Sequence, residues 1–273
     1  MGAGLLQYLI PPQRITVGSA HHRQISVTFD VIDLPDSFGC YSGLPTTQIA
    51  GCADKVILMS LEQEALSMGT APTLTGTPAE STPRLPILAE LKEKTAPLHR
   101  ALEENAGIWD CLSSRALYGD LLVRFWGIYS TAEARLAALE ALPRWLPDLA
   151  RRWKRSALES DLNYLGIAPE SWTIYSGMPE IPTVAAGFGW LYVLEGSTLG
   201  GQLIKRQVQE RLGLGAQNGC QFFSSYGAEV GPMWRSFGQS LESFCQANPD
   251  GRAEVTGNAE TAFGCFSNWL RSK

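Results

Sequence analysis

The chain is 273 residues long and 45% apolar, with a formal net charge of −5. That is ample for a core enclosing a small ligand, and a pI near 5.3 leaves no basic field to hold a phosphate backbone, which excludes nucleic acid as a partner. Six cysteines (Cys40, Cys52, Cys111, Cys220, Cys245 and Cys265) form no Cys-x-x-Cys pair, against both a zinc site and a disulfide framework; no apolar run is long enough to span a membrane, and the expected compartment is the cytoplasm.

In chain order, residues 1–84 read as an N-terminal extension without a complete fold, largely flexible. Alternation at Ile25, Val27, Phe29 and Val31 suits a short strand, Val56 to Leu66 a short helix, and the tract of Thr, Pro and Ser from Gly69 to Pro86 a linker. His21 and His22 read as an exposed loop pair rather than a metal site. From residue 85 onward the apolar spacing is helical and strand alternation nearly disappears. Helices are predicted over Pro86 to Glu104, Ser113 to Leu142, Arg144 to Leu165, Thr183 to Leu212, Gly231 to Ala247 and Arg252 to Leu270. The expected fold class is all-α: one multi-helical domain over residues 85–273, with no internal repeat to suggest a solenoid.

The first of these helices carries His99. At about 100° per residue, Leu88, Leu91, Thr95, His99 and Leu102 share a face about 80° wide, so the imidazole points inward. Glu103, one turn on, can reach the imidazole edge facing away from the core, the arrangement that fixes the tautomer of a metal-binding histidine. A core histidine satisfied by a neighbouring carboxylate gives the same pattern, so the pair by itself marks His99 as a candidate ligand to iron and no more. Pro97 removes one intrahelical hydrogen bond two residues earlier, which predicts a kink or a late start to the regular helix.

The segment Thr183 to Arg206 carries five glycines: Gly187, Gly189, Gly196, Gly200 and Gly201. Each costs a helix interior about 1 kcal/mol relative to alanine, so something must compensate. Gly189, Gly196 and Gly200 fall within about 40° on a helical wheel, a bare groove where a flat ligand could touch backbone. Close helix packing through Gly196-x-x-x-Gly200 is the competing explanation. A membrane dimer motif is excluded by Glu195, Lys205 and Arg206, and a dinucleotide loop by Tyr192, where that fingerprint needs glycine. An inward histidine on one helix and a bare stripe on another favour a planar macrocycle held between the two.

These residues resemble the heme oxygenase family. The run Leu91-Lys92-Glu93-x-Thr95-x-x-x-His99-x-x-x-Glu103 is similar to the family's proximal helix, Gly196-x-x-x-Gly200-Gly201-Gln202 to its distal helix, and Ala259-Glu260-Thr261-Ala262-Phe263 to its last helix. The form Leu194-Glu195-Gly196-Ser197-Thr198-Leu199-Gly200-Gly201 looks like the bacterial branch, including oxygenases found alongside phytochromes. The resemblance implies that His99 binds the heme iron and that Glu103 orients it. Lys92 and Arg235 would pair with heme propionates, Tyr192 and Phe263 would be wall residues, and Thr95 belongs to the proximal motif. Gly196, Ser197, Gly200 and Gly201 would form the distal, catalytic side.

The implied reaction oxidises heme, at once cofactor and substrate, to biliverdin, carbon monoxide and ferrous iron. Dioxygen and electrons from an external donor, a ferredoxin, flavin reductase or ascorbate, would be required, and a biliverdin-using phytochrome is a partner the branch suggests. One position departs from the family's animal members, which carry an aspartate after the first distal glycine; here it is Ser197, which supplies a hydroxyl and no charge. That keeps open a heme carrier or sensor with the same pocket. A two-iron enzyme needs several histidines converging from different helices, and residues 85–273 contain one.

Overall fold

Seven α-helices and five short 3-10 turns make up the described part of the chain, with no strand among them. The structure is a computed structural model, and it describes residues 85–271. The strand, the short helix, the histidine pair and nearly all of the linker expected before residue 85 lie outside the described residues.

Helix α1 (Ile87–Asn105) buries Ile87, Leu91 and Thr95 along one stripe, as the spacing predicts, and continues through Pro97. Its first amide is satisfied from another element: the Ile87 N–H donates to Glu242 at 2.8 Å. After a four-residue helix α2 (Ile108–Cys111), α3 (Arg115–Ala137) starts at Ser114, whose hydroxyl accepts from the Leu117 N–H at 3.2 Å. That satisfies one of the donors that a helix start leaves without an intrahelical partner.

The helix predicted over Arg144 to Leu165 is not continuous. Turns at Leu142–Arg144 and Leu149–Arg152 precede a shorter α4 (Arg155–Tyr164). Pro143 and Pro147 lack the amide an α-helix interior needs, and Trp153 is extended at φ −68°, ψ 132°.

Helix α5 (Val184–Leu212) is the glycine-rich one, capped at its start by Thr183 and closed at its end by Gly213 at φ 67°, a left-handed conformation that glycine adopts without steric cost. Helices α6 (Val230–Ala247) and α7 (Arg252–Leu270) follow. Helix α7 packs on both α1 and α5. Its Arg252 donates to Glu90 at 2.6 Å and to the Leu85 carbonyl, which ties the start of α1 to the start of α7. The core is mostly aliphatic, and its largest fully buried side chains are aromatic: Trp190, Tyr118, Tyr129, Phe188 and Phe237. No described helix is long and apolar enough to cross a membrane.

Candidate active site

His99 projects from α1 into a cavity whose opposite wall is α5. The cavity spans about 1300 Å³, open solvent at its mouth included. His99 Nδ1 lies 3.5 Å from a Glu103 carboxylate oxygen. The Phe263 ring of α7 meets the imidazole edge-on, centroids 5.7 Å apart. With Nδ1 facing Glu103, Nε2 is the nitrogen left for a metal. The histidine side chain is 35% exposed, so it opens into the cavity instead of filling a slot in the core.

The five glycines divide into two sets with different physical roles. A Cβ at Gly189 would stand 2.4 Å from the Val255 carbonyl oxygen and 2.8 Å from the Ala259 nitrogen, so this glycine lets α5 and α7 touch backbone to backbone. At Gly200 a Cβ would meet nothing within 4 Å, and at Gly196 only the Trp234 ring at 3.8 Å. Close packing through Gly196-x-x-x-Gly200 is therefore not what these residues do. Gly196, Gly200 and Gly201 line the cavity as bare backbone.

Other expected site residues take varied places. Tyr192 and Phe263 are on the wall. Thr95 is buried behind it, donates to the Leu91 carbonyl at 2.7 Å and hydrogen-bonds the Tyr192 hydroxyl. Burial raises the Tyr192 phenol above its ordinary value, against the pull of that hydrogen bond. Lys92 is half-buried on α1 and Arg235 exposed on α6, and neither lines the cavity, although Trp234 beside Arg235 does.

Sequence reasoning missed a buried charge cluster on this side of the molecule. Glu195, 2% exposed, receives Arg152 directly, accepts from the Tyr226 hydroxyl at 2.9 and 3.1 Å, and has Lys154 Nζ at 3.8 Å. Among the described residues, Lys154 is the one lysine or arginine on the cavity wall. Its amine donates to the Arg152 carbonyl at 2.9 Å and sits 3.6 Å above the Tyr226 ring, and burial pushes it down to about 8. Burial also pushes Glu133 up to about 7, opposed by the Lys154 and Arg155 backbone amides that donate to it. Tyr226 holds φ 64°, a strained value for a bulky residue, with its ring and hydroxyl fixed by Lys154 and Glu195. Glu195 stands beside the first distal glycine in the sequence, but its partners are 43, 41 and 31 residues away, and no local pattern announces them.

A profile of the heme oxygenase family matches residues 85–272. The chain belongs to the heme oxygenase family. A curated heme oxygenase from Xanthomonas campestris pv. campestris (strain 8004) is 31% identical over 140 residues, which are 49% of this chain and 80% of that protein. Solved structures of heme oxygenases agree in fold. That from Neisseria meningitidis, NO- and CO-bound, gives a TM-score of 0.59 at 22% identity, covering 68% of this chain and 91% of the other. Those from Leptospira interrogans and from the cyanobacterium Synechocystis sp. PCC6803, the latter in complex with heme, give 0.56 and 0.51, each at 17% identity and 68% of this chain, covering 98% and 91% of theirs.

The residues present fit a heme as the substrate and cofactor that the family implies. His99 opens into an apolar, partly aromatic cavity, and Gly196, Gly200 and Gly201 are the points where a flat ring can approach the α5 backbone. Cβ atoms at Gly196 and Gly200 would intrude on that space.

Proposed function

We propose that this heme oxygenase oxidises heme to biliverdin, carbon monoxide and ferrous iron, using dioxygen and electrons from an external donor such as a ferredoxin or a flavin reductase. The observation that carries the reading is a single cavity with His99 on one wall and the bare glycines Gly196, Gly200 and Gly201 on the other. When bound, heme supplies the iron and the redox chemistry as well as the carbon skeleton that is cut. The protein binds, orients and screens. His99 Nε2 would hold the iron, Glu103 would position the imidazole, and Tyr192 and Phe263 would contribute to the wall of the binding site. Gly196, Gly200 and Gly201 admit the ligand close to backbone, and Ser197 offers a hydroxyl at the distal face.

Lys92 and Arg235 are assigned the propionates, which needs their long side chains to turn toward the cavity. Cys111, Cys220 and Cys265 carry free thiols, consistent with a reducing compartment such as the cytoplasm. A phytochrome that consumes biliverdin is the partner class this product would serve. A second reading, a carrier or sensor that binds heme without degrading it, is favoured by one feature: Ser197 brings no carboxylate to the distal side.

Hemin titration of the wild type and of His99→Ala, followed by reductant and air, separates the readings. Oxygenase activity predicts a one-to-one histidine-ligated complex whose Soret band bleaches into a biliverdin-like absorption, with ligation and turnover lost in His99→Ala. A Soret band that persists under reductant and air identifies a carrier or sensor. Failure to form any one-to-one complex refutes the assignment of the cavity.

A further inference from the structure

The distal wall holds a pair of hydroxyls from two different helices. The Tyr129 hydroxyl of α3 lies 2.7 Å from Ser197 Oγ of α5, and the Leu194 carbonyl is 2.8 Å from Ser197 Oγ and 3.3 Å from the Tyr129 hydroxyl. Both side chains line the cavity. Thr198, the neighbouring hydroxyl, is engaged by the Glu195 carbonyl at 2.6 Å.

Two protons shared among three oxygens allow few arrangements. The two shorter distances select one, in which Tyr129 donates to Ser197 Oγ and Ser197 donates to the Leu194 carbonyl. That carbonyl lies within α5, where the regular helix bond is open to it from the amide four residues on. The Ser197 proton can thus rotate into the cavity without leaving a buried acceptor unmet. Tyr129 has no such freedom. Its ring is clamped by Phe125, Phe222 and Phe266 at centroid distances of 6.3, 5.1 and 6.1 Å. Among the described residues its hydroxyl has Ser197 and the Leu194 carbonyl as hydrogen-bond partners. Burial raises the phenol far above its ordinary value, against the Ser197 hydrogen bond, and the charges of Glu195 and Glu133 add to the rise. It stays a neutral donor across the working range of pH.

We propose that Tyr129 is a positioning residue of the distal face: by donating to Ser197 Oγ it biases the Ser197 hydroxyl to act as a donor, and the Ser197 proton can swing from the Leu194 carbonyl into the cavity, so the two hydroxyls can present one directed hydrogen bond to a small anionic or polar ligand bound there. A serine alone can either give or accept at that point. A serine already accepting from a phenol is biased to give, and a chain of two hydroxyls polarises its terminal proton. This rests on the reading of the cavity as a heme site, and it gives the chain a charge-free distal device where a carboxylate is absent.

The test titrates azide into the hemin complexes of the wild type, Tyr129→Phe, Ser197→Ala, Ser197→Thr and the double variant Tyr129→Phe/Ser197→Ala, reading visible absorption for affinity and the azide stretching band in the infrared. Loss of one hydrogen bond predicts about tenfold weaker azide binding for Ser197→Ala and about fivefold for Tyr129→Phe. The double variant should bind no more weakly than Ser197→Ala, Ser197→Thr should stay near the wild type, and the stretching band should move the same way in both single variants. Wild-type affinity and band position in Tyr129→Phe, or losses that simply add in the double variant, would overturn the pairing. Failure of the wild type to bind hemin would instead overturn the heme-site reading on which it rests.

Discussion

Glu195 is the side chain on which the most depends for its size. It is the shared partner of the buried Arg152 and Lys154 and of the half-buried Tyr226. Removing one member of a buried ionic group strands the others and costs roughly 3–5 kcal/mol. Glu195→Ala is therefore expected to lose at least about 3 kcal/mol of unfolding free energy by urea denaturation. Glu229→Ala, which breaks an ion pair with Arg151 between side chains 62% and 65% exposed, should lose less than about 1 kcal/mol. Equal losses in the two variants would refute this account of the cluster. His99 with Glu103 was legible in the sequence because both lie one turn apart on one helix. Lys154, Tyr129 and Tyr226 were not, since each acquires its role only from a residue of another segment.

At the scale of elements, α5 shows one residue type used in two ways. Gly189→Ala would drive a methyl into the α7 backbone, where no flexible side chain can yield; overpacking of this kind costs roughly 1–3 kcal/mol, more than the ~1 kcal/mol alanine gains in a helix. Gly200→Ala meets open space and should stabilise the ligand-free protein by up to about 1 kcal/mol while weakening hemin binding. Thermal denaturation and hemin titration of the two variants check both signs, and a Gly200→Ala protein that binds hemin as the wild type does would show that the stripe is not the contact surface. The wheel placed Gly189 with Gly196 and Gly200 on one face. What it could not tell was that α7 covers the first of them and leaves the other two bare. Helix starts at Ser114 and Thr183 carry side-chain caps that are local in the sequence, whereas apolar spacing over Arg144 to Leu165 gives no sign of the extended Trp153 that interrupts the helix.

For the whole molecule, the buried groups set a pH dependence whose sign can be worked out. Glu133 rises from 4.5 to about 7 and Asp161 from 3.8 to about 6, in both cases chiefly by burial, with backbone amides pulling the other way. The folded state holds these protons more tightly than the unfolded one, so their contribution to stability falls as pH rises from about 4 to about 7. Lys154, moved from 10.5 to about 8, binds its proton less tightly when folded, so its contribution rises from about pH 8 toward 10.5. Glu133→Gln keeps an acceptor for the Lys154 and Arg155 amides and removes one titration. The thermal midpoint of the variant minus that of the wild type should therefore grow as pH goes from 4.5 to 7, and a constant difference would refute the shift. The sequence by itself determined the helical class and the two helices, α1 and α5, that line the cavity, because helical periodicity and the His99–Glu103 spacing are local properties of the chain. Only the tertiary structure decided which glycines are bare, which hydroxyls meet and which charges are buried, because each of those depends on an element dozens of residues away arriving at the same place.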